Sequence, residues 1–430
     1  MKDNFQIILI FVFIVAAIFG LLVFSGTIPL GGDDGELGQG SVVLWGTFRA
    51  ELVNSLLEEF NRENPTFVVQ YVQKNPDTFD QDLLEALASG VGPDMFFLPD
   101  NLAFHYKNKI AAIPLQSYSS SSFKQGFAGA GEVFLTSQGI LALPITIDPM
   151  VMYYSRDMLD ANGVVYPPND WTEFLAVVPV LTKKDDTGKI GKSAAAFGHY
   201  SNVSHAKDIL SVLFMQLGNR IVKEDGGRFE TDLGVSIGPD NLPNALRFYT
   251  DFADPGKSAY SWNKSFPLSR DFFSAGNLAF YFGYASELAN LLNKNPNQNF
   301  QVAEIPQIVN SGFKSTGARV TGLAISAFSK NPNTAFIAAG KMTSGNFAAR
   351  LAQNLGVVPA RRDLLAQKPT DSFSPIFYAS ALYARSWLDP SPKDTNDIFR
   401  KMIESVLSGT LGPAEAVSDA SAKMSLLLNR

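Results

Sequence analysis

Residues 139–158 read GILALPITIDPMVMYYSRDM, and the way this stretch is built decides the fold. Ile140, Leu141, Ala142 and Leu143 form an apolar β-type run, Pro144 interrupts it, and Met150 to Tyr154 form a second run, with Asp148-Pro149 between them. Each proline lacks a backbone N–H, so a sheet ladder must be broken at both positions. A strand interrupted twice suits a segment that passes from one sheet to another, a hinge strand. A carboxylate held between two sheets faces a cleft more readily than a core, because an unpaired buried charge is costly. An edge strand with a surface turn at Asp148-Pro149 fits the same residues.

The chain around this stretch has 430 residues, more than one ordinary hydrophobic core, and points to two lobes. Its 46% hydrophobic and 18% charged residues are a globular composition. A net charge of -6, without a dense run of Lys or Arg, argues against nucleic acid as a partner. Cysteine is absent, which excludes disulfides, thiol nucleophiles and thiolate metal sites. It also removes the cysteine through which many exported bacterial proteins are lipidated.

Another anchor takes its place. Residues 7–24, IILIFVFIVAAIFGLLVF, are apolar and uncharged, and at about 1.5 Å per helical residue they reach about 27 Å, close to a hydrocarbon core. Lys2 precedes them while Asp33, Asp34 and Glu36 follow, which makes residues 1–6 a cytoplasmic tip. No A-x-A site follows, so an uncleaved single-pass transmembrane anchor is favoured over a long signal segment. Either way the bulk of the chain lies outside the cytoplasm at the cell membrane. Residues 25–40, Gly-rich and acidic, are a flexible linker.

Regular alternation then begins. Val42 to Trp45, Phe67 to Val72 and Met95 to Leu98 read as strands; Glu51 to Asn61 and Phe79 to Ser89 carry helical apolar faces. Strand, helix, strand, helix, strand means parallel pairing, an α/β lobe whose ligands gather at the carboxyl ends of its strands. The loops leaving those ends are Gly46-Thr47-Phe48-Arg49 and Pro99-Asp100-Asn101. Further on, Asp170 caps a helix, Ile209 to Leu217 and Leu242 to Phe252 are apolar helices, and Leu278 to Phe282 is a strand. Phe300 to Ile305 meets Pro306, a second proline-broken strand and so a second linker, before the strand Val320 to Ser326.

These motifs carry a resemblance. In order, VVLWG (42–46), EEFNRENP (58–65), ALASGVGPD (86–94), LPITIDPMVMYYSRDML (143–159), FFSAGNLAFYFGYAS (272–286), VTGLAIS (320–326), LGVVPARRDLL (355–365) and LSGTLGPAEAVSDASAKMSLLL (407–428) resemble the family 1 extracellular solute-binding proteins of ABC importers, the maltose-binding group. The resemblance covers about residues 41–430. It implies a type II periplasmic-binding-protein fold, two α/β lobes joined by a hinge, here behind an N-terminal transmembrane helix. The expected N-lobe is 41–147 plus 307–357 and the C-lobe 148–306 plus 358–430. A small solute, a sugar or oligosaccharide, would be held between them and delivered by a monomer to ABC permease subunits. Three departures stand out: no lipidation cysteine, Gly322 alone where the family frequently has paired glycines, and four tryptophans in all, Trp45, Trp171, Trp262 and Trp387.

Carried over position by position, Asp148 falls where the family often places a carboxylate that accepts hydrogen bonds from ligand hydroxyls. Thr47, Phe48 and Arg49 fall in the first cleft loop and Asp100 with Asn101 in the next. Asn202 and His205 sit before the Ile209 helix, Tyr284 after the Leu278 strand, and Trp387 with Asn396 near the last cleft helix. Such a set suits a polyol, since carboxylates and amides serve several hydroxyls and an aromatic face covers the C–H side of a pyranose.

Enzyme chemistry has less support. His105, His199 and His205 are the three histidines, and His205 with Asp208 gives two of the at least three protein ligands that zinc needs. The KIGKS run at 189–193 has Asp186 where a phosphate loop requires glycine. No cofactor and no metal is expected. Asp100 with Asp148 could form the carboxylate pair of a glycosidase, and a sensor or adhesion module feeding a partner receptor is a further alternative.

Overall fold

In a computed structural model of the chain the described residues are 38–234, 241–367 and 369–429. The expected anchor at 7–24 lies outside them; among the described residues no helix is long and apolar enough to cross a membrane. The folded part begins as its apolar periodicity requires, with β1 (Gly40–Gly46), α1 (Ala50–Glu63), β2 (Phe67–Gln73), α2 (Phe79–Ala88) and β3 (Met95–Pro99). α1 buries Val53, Leu56, Leu57 and Phe60, a stripe at helical spacing. β1 pairs in parallel with both β2 and β3, giving the α/β sheet of the first lobe. α3 (Asp100–Tyr106) follows β3 directly, so Asp100 and Asn101 open a helix instead of standing in a loop.

The 139–158 stretch forms β4 (Leu143–Ser155), one strand of 13 residues. Neither proline breaks it. The later elements that matter are α4 (Trp171–Leu181), β5 (Ile190–Ala195), α5 (Ala206–Gln216), β6 (Leu278–Tyr284), β7 (Phe300–Ala303) and β8 (Thr316–Ile325). β4 belongs to two sheets in turn. From Leu143 to Pro149 it pairs antiparallel with β8, which continues the first-lobe order β2-β1-β3-β8-β4. From Met150 to Tyr154 it pairs antiparallel with β6, and β7 occupies its other edge. β6 runs parallel to β5, and the short strand Lys183–Lys184 on the far edge of β5 ends the second-lobe sheet.

The two prolines mark the two irregularities of this ladder. Pro144 stands opposite Gly322 where the β4–β8 register slips by one residue, a bulge, one of the few sheet positions that tolerate a missing N–H. Pro149 is the last residue paired with β8 before Met150 takes up β6, so its missing donor falls at the change of partner. The chain returns from β7 of the second lobe to β8 of the first through residues 304–315, the stretch that contains Pro306. Pro306 precedes that strand, and its carbonyl accepts a hydrogen bond from Gln216 Nε2 at 2.9 Å.

The second lobe is packed largely with aromatic rings. Phe197 lies 4.9 Å from Phe282 and 5.0 Å from Phe252, and Trp171 stacks on Phe282 at 6.0 Å. Trp262 is fully buried and pins its loop through Nε1, which donates to Asn202 Oδ1. At the bulge, Gly322 is held by space as well as by register. A Cβ there would stand 2.7 Å from the Ala142 side chain and 2.9 Å from Phe134. Gly322→Ala should therefore cost about 1–3 kcal/mol and lower the urea midpoint of unfolding; an unchanged midpoint would show that the bulge has room to relax.

Candidate functional site

The crossing strands set a charged pair face to face. Antiparallel register places Arg319 of β8 opposite Asp148 of β4, one residue before the change of sheet. Asp148 is half-buried, and Ser286, just past β6, ties both its oxygens: the backbone N donates to Oδ1 at 2.9 Å and the hydroxyl to Oδ2 at 2.6 Å. Burial pushes the Asp148 carboxyl from 3.8 up to about 6, against the opposing pull of the Ser286 bonds and the Arg319 charge.

Asp100 occupies the matching position on the first lobe. It is buried at the start of α3, accepts from the Ser386 hydroxyl and from the Asn101 N–H at 3.0 Å, and burial lifts it too from 3.8 to about 6. The Arg319 guanidinium lies 3.8 Å over the Tyr284 ring. Its Nη2 is 3.4 Å from Asp208 Oδ2 and 3.3 Å from His205 Nδ1. Behind it, His205 Nε2 lies 2.6 Å from Glu287 Oε1, and Glu287 Oε2 accepts from Tyr281 at 2.6 Å. A ring carrying its proton on Nε2 satisfies both His205 contacts. The backbone N of Tyr284 also donates to Glu287, so this half-buried carboxylate fixes the turn that carries Tyr284 and Ser286.

On the second-lobe side, Lys207 at the start of α5 donates to Asp389 at 2.6 Å and Thr395 at 2.8 Å and sits 5.2 Å from the Trp387 ring. Asn396 accepts from the Tyr200 hydroxyl at 3.2 Å. Around these groups lies a cavity of about 790 Å³, within the usual range of small-molecule sites.

Eight of the residues expected from sequence line this cavity: Thr47, Phe48, Asp100, Asn101, Asp148, Tyr284, Trp387 and Asn396. Phe48 does so while packing on Phe97 at 5.0 Å. Three do not line it. Arg49 is exposed and serves as the residue preceding α1. Asn202 is buried with its amide consumed, Nδ2 donating to the carbonyls of Asn263 and Phe266 and Oδ1 accepting from Trp262. His205 stands behind the wall, positioning Arg319. Sequence reasoning missed Arg319, Ser286, Lys207 and Ser386, all of which line the cavity. Asp208, paired in sequence with His205 as two potential metal ligands, is instead the carboxylate beside Arg319.

A family model described as bacterial extracellular solute-binding protein matches residues 55–374. A putative binding protein of Brucella abortus is 23% identical over 404 residues, covering 86% of this chain and 88% of that protein. Among solved structures, a cyclic α-maltosyl-1,6-maltose binding protein from Arthrobacter globiformis superposes with a TM-score of 0.76 at 15% identity, over 91% of this chain and 99% of that one. The sugar-binding protein MalE of Xanthomonas citri gives 0.73 at 18% identity, over 90% and 97%. The fold is shared with both of these solved structures.

Asp100 and Asp148 hold protons more tightly when folded than their ordinary value, so from pH 3.8 to about 6 the folded chain binds more protons than the unfolded one. The contribution of these two groups to stability must then fall as pH rises through that window and level off above it. Asp100→Asn removes one of the two groups. The wild-type thermal midpoint should drop relative to the variant's between about pH 4 and pH 6 and run parallel above about pH 7; curves parallel throughout would remove the titration assigned to Asp100.

Proposed function

Because the chain belongs to the bacterial extracellular solute-binding protein family, we propose that it captures a sugar or oligosaccharide between its lobes and hands it to an ABC permease. The observation that carries this reading is the convergence at the crossing of β4 and β8. Carboxylates from both lobes, Asp100 and Asp148, stand around Arg319 and Tyr284 in one cavity, with Trp387 as an apolar face. Carboxylates and amides there accept and donate to ring hydroxyls, and the Trp387 and Phe48 rings cover the apolar face of a pyranose. The sugar-binding proteins that share the fold support the choice of solute class.

Binding without chemistry is sufficient for this role. A solute that touches both lobes stabilises the closed arrangement by its differential affinity for it, and β4 and β8 are where the lobes turn. The lobe partition 41–147 plus 307–357 and 148–306 plus 358–430 is part of the same proposal, as is tethering through residues 7–24. No hydrolysis is required of Asp100 and Asp148, because both are engaged by fixed donors, Ser386 and Ser286, that suit binding groups.

Thermal-shift screening of the full chain in detergent against mono- and oligosaccharides, amino acids and peptides is the direct test. A saccharide at 100 times its dissociation constant should add about 2.7 kcal/mol of stability. Asp148→Ala should abolish that response while leaving unliganded stability within about 1 kcal/mol, since relief of a buried charge offsets the two lost Ser286 bonds. Stabilisation by peptides or amino acids with none by any saccharide would overturn the solute class. A large loss of unliganded stability in Asp148→Ala would make Asp148 a structural residue.

A further inference from the structure

Next to the hinge cavity lies a second one of about 560 Å³. The hairpin of Val222–Asp225 and Arg228–Thr231 walls it on the second-lobe side, and the 3-10 turn Gly129–Phe134 with Thr136 walls it on the first-lobe side. Both cavities are lined by Met215, Arg385, Ser386 and Trp387. An elongated solute seated at Asp148 would therefore run past the Trp387 ring into the outer cavity.

Charge changes sign along that path. Carboxylates outnumber lysines and arginines five to three around the hinge cavity, whereas cations outnumber carboxylates four to two around the outer one. Neutralisation in the outer cavity is uneven. Lys124 pairs with Glu132 at 3.4 Å, Lys223 comes within 3.9 Å of Asp232, and Glu224 accepts two hydrogen bonds from Ser137. The guanidinium groups of Arg220 and Arg385 form no ion pair among the described residues, although the Arg220 backbone N donates to Asp232 Oδ2 at 2.9 Å. Arg385 donates to the carbonyl of its neighbour Ala384 at 3.3 Å, and its guanidinium lies so close over Gly129 that a Cβ there would stand 1.9 Å from Nη1. The absence of a side chain at 129 leaves the guanidinium room to lie there.

We propose that the outer cavity binds an anionic group, a carboxylate, sulfate or phosphate ester carried at the far end of the saccharide, with Arg220 and Arg385 as its partners. This rests on the hinge cavity being the solute site. The planar guanidinium fork matches such oxyanions in two-point contacts. The surplus of carboxylates at the hinge repels the same group there, so the charge gradient orients the solute, neutral end at Asp148 and acidic end towards the hairpin.

Calorimetric titration of the full chain in detergent tests this with probes matched except in charge. One pair is a maltotriose analogue whose terminal ring alone is a glucuronate and the methyl ester of that acid; the other is maltotriose and maltotriose carrying a terminal 6-sulfate or 6-phosphate. At least one acid should bind about tenfold tighter than its neutral counterpart, with an advantage that shrinks as salt is added. Arg220→Gln, at an exposed position outside the hinge cavity, should erase most of that advantage and leave neutral affinities within about twofold. The arm that wins, carboxylate or sulfate and phosphate, identifies the group. Neutral probes binding as tightly as every acid, or an acid advantage that survives Arg220→Gln, overturns the inference and leaves the sugar reading standing. No binding by any probe overturns both.

Discussion

The facing of Asp148 and Arg319 across two antiparallel strands is the constraint on which the rest depends. β4 is the strand by which the chain passes between sheets, and β8 pairs with it from Leu143 to Pro149 with one bulge at Pro144. A hinge made of paired strands bends along a defined axis, because the ladder resists shear and twist of one strand against the other. β4 changes from β8 to β6 as partner immediately after Pro149. A residue with a backbone donor there would have to satisfy it in the gap between two ladders; proline has none to satisfy. The same gap is where the side chains of 148 and 319 come out, which is why hinge and cleft coincide in one place.

Arg319 organises the charges that gather there. Asp208, Asp148 and Asp100 all act on it and favour its charged form. None of these carboxylates forms a closed bidentate pair with the guanidinium. Asp148 is taken by Ser286, Asp100 by Ser386, and Asp208 stands at 3.4 Å. Donors and acceptors are thus fixed in direction without being used up by one another, which is what a site for a hydroxylated ligand needs. His205 and Glu287 sustain this from behind, and the left-handed backbone of His205, φ 61°, holds the ring in line with both Arg319 and Glu287.

How much of this could be read from sequence follows from what each signal depends on. The strands and helices of the first lobe obey local periodicity, and their expected limits fall within about two residues of those found. Asp148 was legible because a carboxylate inside an apolar strand is too costly to bury unpaired, and the proline after it marks a place where the ladder has to change. The expectation of a broken strand failed because a bulge and a change of partner absorb a missing donor as well as a break does. Arg319 was illegible: in the run Ala318, Arg319, Val320 a lone exposed cation between two buried residues is the ordinary solvent face of a strand. Its register opposite Asp148 is a tertiary fact. Asn202 shows the converse, a polar loop residue whose three hydrogen bonds lead to residues about 60 positions away.

Contacts between the lobes away from the hinge bear on how the cleft closes. The 222–231 hairpin meets the first lobe through Glu224 with Ser137 and through Phe229, 5.5 Å from Phe104, with the Lys107 ammonium 3.6 Å over the Phe104 ring. Burial lowers the Lys107 pKa, so part of its attraction to the rings is spent on losing water. Exposed pairs and cation–π contacts of this kind are each worth about 0–1 kcal/mol. Their sum is small beside the roughly 5.5 kcal/mol needed to swing a two-state equilibrium from nearly all open to nearly all closed. The hairpin can bias closure but cannot lock it. The deciding share must come from a ligand that bridges the lobes, and such a ligand gains most where the fixed donors and acceptors of both lobes already converge, around Arg319.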